Sequence, residues 1–210
     1  MNENLILIAG IIIAYLIGSF SSAVWIGKWF YNTDVRTQGS GNAGATNTIR
    51  VLGTKAGIIV MVLDIAKSWG AVMLATVFAG DRLNESQLID YQIIVGAFAV
   101  IGHVFPVFTG FKGGKGVASL VGVIIALYPP YIFLFVLGWF ALVFIITRYV
   151  SLASITASFL FAVLAIFVFR EQNTYLIVLA ALIAVFVPLT HHKNIKRLIK
   201  GEESKLTFRK

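Results

Sequence analysis

Lys112, Gly113, Gly114, Lys115 and Gly116 are five consecutive residues, and an apolar run begins directly after them at Val117. Glycine lets a backbone turn its N–H groups toward a ligand. A helix starting near Gly113 or Gly114 would add unpaired amides and the positive end of its dipole. With two ammonium groups beside it, such a loop suits a phosphate dianion. It is not a Walker A nucleotide loop: Gly116 stands where serine or threonine belongs, and Thr109 where the first glycine belongs. Two lysines that only anchor a helix end at lipid headgroups would not require three glycines.

Two further clusters carry similar chemistry. In TQGSGNAGATNTIRVLG, residues 37–53, Asn42 is placed to cap a short helix that Gly53 closes. Thr46, Asn47 and Arg50 then share a face, with Ser40 beside the first amides, and together they form a second anion site. In the tail, HHKNIKRLIKGEESK, His191 and Asn194 are three residues apart on a predicted helix whose apolar side is Ile195, Leu198 and Ile199. Lys196 and Lys200 suit anionic lipid. His103, shortly before Pro106, and Ser151 with Ser154, after Arg148, extend the polar inventory. Asp64 and Lys67, three residues apart within an apolar run, read as a structural ion pair in preference to an ion path.

The elements that position these groups lie in a bilayer. The chain is 59% hydrophobic and 12% charged, against about 25% charge in a soluble domain, and its mean hydropathy is +0.90. There is no cysteine, which excludes disulfides and thiolate catalysis. No carboxylate cluster suggests a metal, and no nucleic-acid motif is present. Apolar runs at 5–27, 57–79, 91–108, 131–147, 151–169 and 174–189 read as spans, the first of them retained and not a signal peptide. The run 117–127 is short and spans only if its helix starts within the glycine loop, ending at Pro129 and Pro130. Counting it gives seven spans. One side then holds Lys28, Arg36, Arg50, Lys55, Lys112, Lys115, Arg148 and the seven basic residues of the tail, 14 in all, against Arg82 and Arg170. With six spans the split is 7 against 9. The positive-inside rule favours seven. The expectation is an all-α integral membrane protein, residues 1–210 forming one domain. Its N-terminus lies outside, its C-terminus in the cytoplasm, with short interfacial helices on the cytoplasmic face beside the polar motifs.

QGSGNAGATNTIR, GHVFPVFTGFKGGKGVAS, RYVSLAS and HHKNIKRLIKGEE resemble, in order and over essentially the whole chain, the signature regions of the bacterial acyl-phosphate–glycerol-3-phosphate acyltransferases of the PlsY type. The resemblance implies transfer of a fatty acyl group from acyl phosphate to the 1-hydroxyl of glycerol 3-phosphate. It implies lysophosphatidic acid and phosphate as products, no cofactor, and a place in the bacterial inner membrane at the first step of phospholipid synthesis. By motif, Ser40 and Arg50 match the first region; His103, Lys112, Gly113, Gly114, Lys115 and Gly116 the second; His191, Asn194 and Glu203 the third. The family commonly has His-Arg where this chain has His191-His192. Substrate contacts are thus expected from Ser40, Asn42, Asn47, Arg50, Lys112, Gly113, Gly114, Lys115, Gly116, Ser151 and Glu203, and chemistry from His103, His191, Asn194 and Ser40. His103, His191 or a substrate phosphate takes the hydroxyl proton; the residues alone do not choose. An organic-phosphate transporter would place its polar groups near the midplane and between repeats, not crowded on one face. A lipid-binding scaffold is the third reading.

Overall fold

The computed structural model describes residues 3–207, with side chains from residue 4 onward. Arg209 and Lys210, both part of the charge reading, lie outside the described residues. The helices are α1 Glu3–Ser19, α2 Ser22–Tyr31, α3 Ala45–Leu52, α4 Thr54–Ala79, α5 Glu85–Val104, α6 Val117–Leu127, α7 Pro130–Thr147, α8 Val150–Val163, α9 Thr174–Thr190 and α10 His192–Ile199. A π-helical stretch, Leu164–Val168, continues α8, and no strand occurs among the described residues. Four helices are long and apolar enough to cross a bilayer, and six if each bent pair, α1 with α2 and α9 with α10, is one span. Of the 18 residues of α7 only Ile132 is buried. So apolar and exposed a helix is compatible with lipid as its solvent.

The described residues divide into two compact units, 3–127 and 128–207. In the first, α1 crosses α5 at small residues. A Cβ on Gly18 would collide with the carbonyl of Ala99, and one on Gly102 with that of Tyr15. Backbones approach this closely in membranes because packing, not water exclusion, drives helix association. Ala14, Ala71, Ala75, Ala79, Val95 and Ala99 fill the core between α1, α4 and α5. In the second unit α8 packs against α7 and α9. Tyr128 donates to the Leu176 carbonyl at 2.6 Å and meets the Phe161 ring edge-on at 4.9 Å.

Three expectations need correction. The run 5–27 is not one straight helix, because it breaks at Phe20–Ser21 and α2 leaves at 44° to α1. The cap of α3 is Gly44, not Asn42, although Gly53 does close the helix, at φ 96°. Most consequentially, α6 begins at Val117 and not within the glycine loop. Its 11 residues rise about 16 Å, roughly half the hydrocarbon thickness. The physical reason lies in the loop, where the Gly113 and Gly114 amides are already spent on α5.

Candidate active site

The first unit holds one half of the predicted constellation. Its glycine loop lies flat across the last turn of α5. Gly113 N–H donates to the Val104 carbonyl at 3.2 Å and Gly114 N–H to the His103 carbonyl at 3.1 Å. Neither is therefore an anion-binding amide. The first-turn amides of α6 belong to Val117, Ala118 and Ser119. Only glycine fits here: a Cβ on Gly113 would strike the His103 carbonyl, and one on Gly114 the Nε2 of the His103 ring. Gly110 and Phe111 both take positive φ, 69° and 59°, to turn the chain into this path. Lys112 is exposed, Lys115 half-buried and Gly116 buried.

His103 is buried in the last turn of α5. On its Nδ1 side stand the two charges that the sequence placed inside a span. Lys67 Nζ is 2.8 Å from Asp64 Oδ1, 2.8 Å from the Phe20 carbonyl and 3.1 Å from His103 Nδ1. Asp64, 1% exposed, also accepts from the Ser22 hydroxyl at 2.9 Å. The ion pair is therefore real, and it is built against the expected site histidine.

The loop before α3 is tied down by Asn47, itself 1% exposed. Its Nδ2 donates to the carbonyls of Val35 at 2.7 Å and Gln38 at 3.1 Å. Its Oδ1 accepts from the Ser40 N–H at 2.7 Å and the Ser40 hydroxyl at 3.1 Å. Every polar atom of Asn47 thus serves the loop, and Ser40 is held, exposed, at its tip. Asn42 and Arg50 are half-buried at either end of the same segment. Arg36, absent from the predicted set, joins this loop to the glycine loop. It donates to the Thr109 carbonyl at 2.6 Å and pairs with Asp34 at 2.8 Å. The hydrogen bonds from Arg36 outweigh desolvation and hold the Asp34 carboxyl below its ordinary value. An arginine beside an aspartate two residues away gave no signal in sequence, because its target carbonyl is 73 residues distant.

In the second unit Glu203 is the hub. Its Oε1 accepts from the Ser151 hydroxyl at 2.7 Å and from Asn194 Nδ2 at 2.6 Å, and its Oε2 from Arg197 Nε at 2.7 Å. Burial raises its pKa, but these three hydrogen bonds and the Arg197 charge more than offset that and lower it. Four residues from α8, α10 and the tail are thereby locked together, with Ser151, Asn194 and Glu203 buried. His191, also buried, sits at the corner where α10 turns 63° from α9. Its Nδ1 is 2.8 Å from the Val187 carbonyl. A carbonyl only accepts, so Nδ1 carries the proton and the neutral ring has its lone pair on Nε2. His192 is exposed.

In the first unit Arg50, Lys112 and Lys115 can bind phosphate beside the Ser40 hydroxyl, and in the second Asn194 and His191 bring amide and imidazole groups. The description "Glycerol-3-phosphate acyltransferase" belongs to the family profile that matches residues 8–201. A protein of that name from Listeria welshimeri is 46% identical over 208 residues, 99% of this chain and all of its own. One from Fusobacterium nucleatum is 44% identical over 198 residues, 94% of this chain and 97% of its own. Crystal structures of PlsY, an integral membrane glycerol 3-phosphate acyltransferase, superpose closely. Its glycerol 3-phosphate form gives a TM-score of 0.85 at 36% identity, covering 96% of each chain. Its lysophosphatidic acid form gives 0.81 at 35% identity, covering 96% of this chain and 95% of that one. Matched by this profile over residues 8–201 and similar to these relatives over nearly its full length, the chain belongs to the glycerol-3-phosphate acyltransferase family.

Proposed function

We infer that this protein acylates the 1-hydroxyl of glycerol 3-phosphate to give lysophosphatidic acid, and that the acyl donor is acyl phosphate. The observation that carries the reading is the match across both units to a family with a member known in glycerol 3-phosphate and lysophosphatidic acid forms. The same match supports treating the two units as one acyltransferase domain.

Acyl phosphate is an activated anhydride. The hydroxyl oxygen forms a bond to the carbonyl carbon, the carbon–oxygen bond to phosphate breaks, and the hydroxyl proton passes to a base. No acyl-enzyme is required. Ser40 fits that scheme as a binding group, because its hydroxyl proton goes to the Asn47 amide oxygen, which is no base. Lys112, Lys115 and Arg50 supply phosphate binding. Asn47 acts through Ser40, and Glu203 and Ser151 act through Asn194 by orienting it. The enzyme's share of the work is alignment, charge stabilisation and exclusion of water.

The proposed setting is the bacterial inner membrane, with seven crossings and the active site on the cytoplasmic face. The charge asymmetry supports it. In that topology α6 is a short crossing, met by local thinning of the bilayer.

The test is an assay of purified protein with acyl phosphate and glycerol 3-phosphate and nothing else. Lysophosphatidic acid and phosphate should appear in equal amounts. Turnover with acyl-CoA or acyl carrier protein, but none with acyl phosphate, would overturn the choice of donor.

A further inference from the structure

We propose that Lys67, held in place by Asp64, fixes His103 in the tautomer that carries its proton on Nε2, making His103 a hydrogen-bond donor in the active site and not its base. The donor role rests on the acyl-transfer reading above; the tautomer does not.

An ammonium group has three N–H donors and accepts nothing. Lys67 Nζ has three acceptors within reach: the Phe20 carbonyl at 2.8 Å, Asp64 Oδ1 at 2.8 Å and His103 Nδ1 at 3.1 Å. Each donor is thus matched to one acceptor, and Nδ1 must offer its lone pair. The competing arrangement would have Nδ1–H donate to Asp64 Oδ1. That distance is 3.5 Å, beyond good hydrogen-bond length, and this oxygen already accepts from Lys67 and from Ser22 at 2.9 Å. The break between α1 and α2 has a role here. It leaves the carbonyl of Phe20 outside a regular helix, where the lysine can use it.

With Nδ1 accepting, the neutral ring presents N–H at Nε2, and Nε2 faces Gly114. A donor at that point can stabilise an oxygen on which negative charge grows. His191 has the opposite polarity, since its Nδ1–H donates to Val187 and its lone pair lies on Nε2. The structure thus assigns donation to His103. Asp64 and Lys67 are positioning residues in this scheme.

The tautomer is read from long-range 1H–15N NMR spectra of protein carrying 15N-histidine, at about pH 8, where an ordinary imidazole is neutral. His103 is assigned by the signals lost in His103→Gln. The wild type should show a protonated Nε2 and a bare Nδ1. In Lys67→Met the proton should move to Nδ1, toward Asp64, with a fall in kcat of about 100-fold, the scale of losing one donor. Since Lys67→Met leaves a buried carboxylate uncompensated, the double variant Asp64→Asn, Lys67→Met serves as the second arm. There the Nε2–H preference should weaken in a chain without the buried charge. A protonated Nδ1 in the wild type overturns the proposal, as does a tautomer unmoved in both variants or one that moves with no loss of kcat. The spectra need no substrate, so failure of the acyl-phosphate assay is visible separately.

Discussion

Gly114 and Asn47 each show how little room the site leaves. A methyl on Gly114 has nowhere to go, because its position is occupied by Nε2 of His103 on one side and approaches the Ala43 carbonyl to 3.0 Å on the other. The imidazole must move, and with it the group aimed at the reaction. Misplacement by about an ångström costs on the order of 100-fold in rate. Gly114→Ala is therefore expected to lower kcat by about that factor while the protein stays helical and membrane-inserted, as checked by initial rates beside circular dichroism. Asn47→Ala acts differently. It removes both donors from the Val35 and Gln38 carbonyls and the acceptor from Ser40. A buried group left unpaired costs roughly 1–3 kcal/mol. A lower thermal midpoint and a raised KM for glycerol 3-phosphate are expected, and unchanged values of both would show that the first loop does not depend on this amide.

At the scale of elements, the decisive feature is that α10 and the tail are docked by one carboxylate. Glu203 has a pKa below its ordinary 4.5 in the folded protein. The unfolded or undocked tail therefore binds the proton more tightly than the docked one. The stabilisation is in full force above pH 4.5 and fades as pH falls through the lower, folded value. The protection of the amides of residues 201–207, relative to their intrinsic exchange rate at each pH, should accordingly fall in acid and be flat above pH 4.5. Glu203→Gln should release the tail at neutral pH, because its amide N–H₂ faces donors on Ser151, Asn194 or Arg197. Tail exchange insensitive to both acid and substitution would remove Glu203 from this role. The same scale shows what was legible in advance. The spans 131–147 and 174–189 were readable to within a residue of α7 and α9, because hydropathy alone sets their extent. Gly53 was readable as a terminator from its type. The break at Phe20–Ser21 was not, though Ser19, Ser21 and Ser22 cluster there, because the partner of the Phe20 carbonyl is a lysine of another helix. The start of α6 was misread for a related reason: the loop amides serve carbonyls of α5 instead of extending α6. Asp64 and Lys67 were visible as a pair, but their hold on His103, 36 residues beyond Lys67, is tertiary.

For the whole molecule, the number of crossings decides on which side everything else lies. The folded helices count four to six long spans by length and composition, and the short α6 is the ambiguous member. If α6 and its flanking segments cross, the loop after α8 lies outside and the tail inside. If α6 and α7 form one crossing, both are reversed. Charge speaks for the first arrangement: Arg148 and the basic tail then share a side with Lys112 and Lys115, and only Arg82 and Arg170 lie opposite. The absence of cysteine makes a direct measurement clean, since any introduced thiol is the sole target. Gln172 and Lys200 are both exposed, one on each side of α9. In intact spheroplasts a membrane-impermeant maleimide should label Gln172→Cys and spare Lys200→Cys, which should react only after permeabilisation. With the N-terminus outside, the opposite pattern would mean six crossings. It would also place the tail on the far side of the membrane from the glycine loop, so that His191 and Lys115 could not serve one reaction.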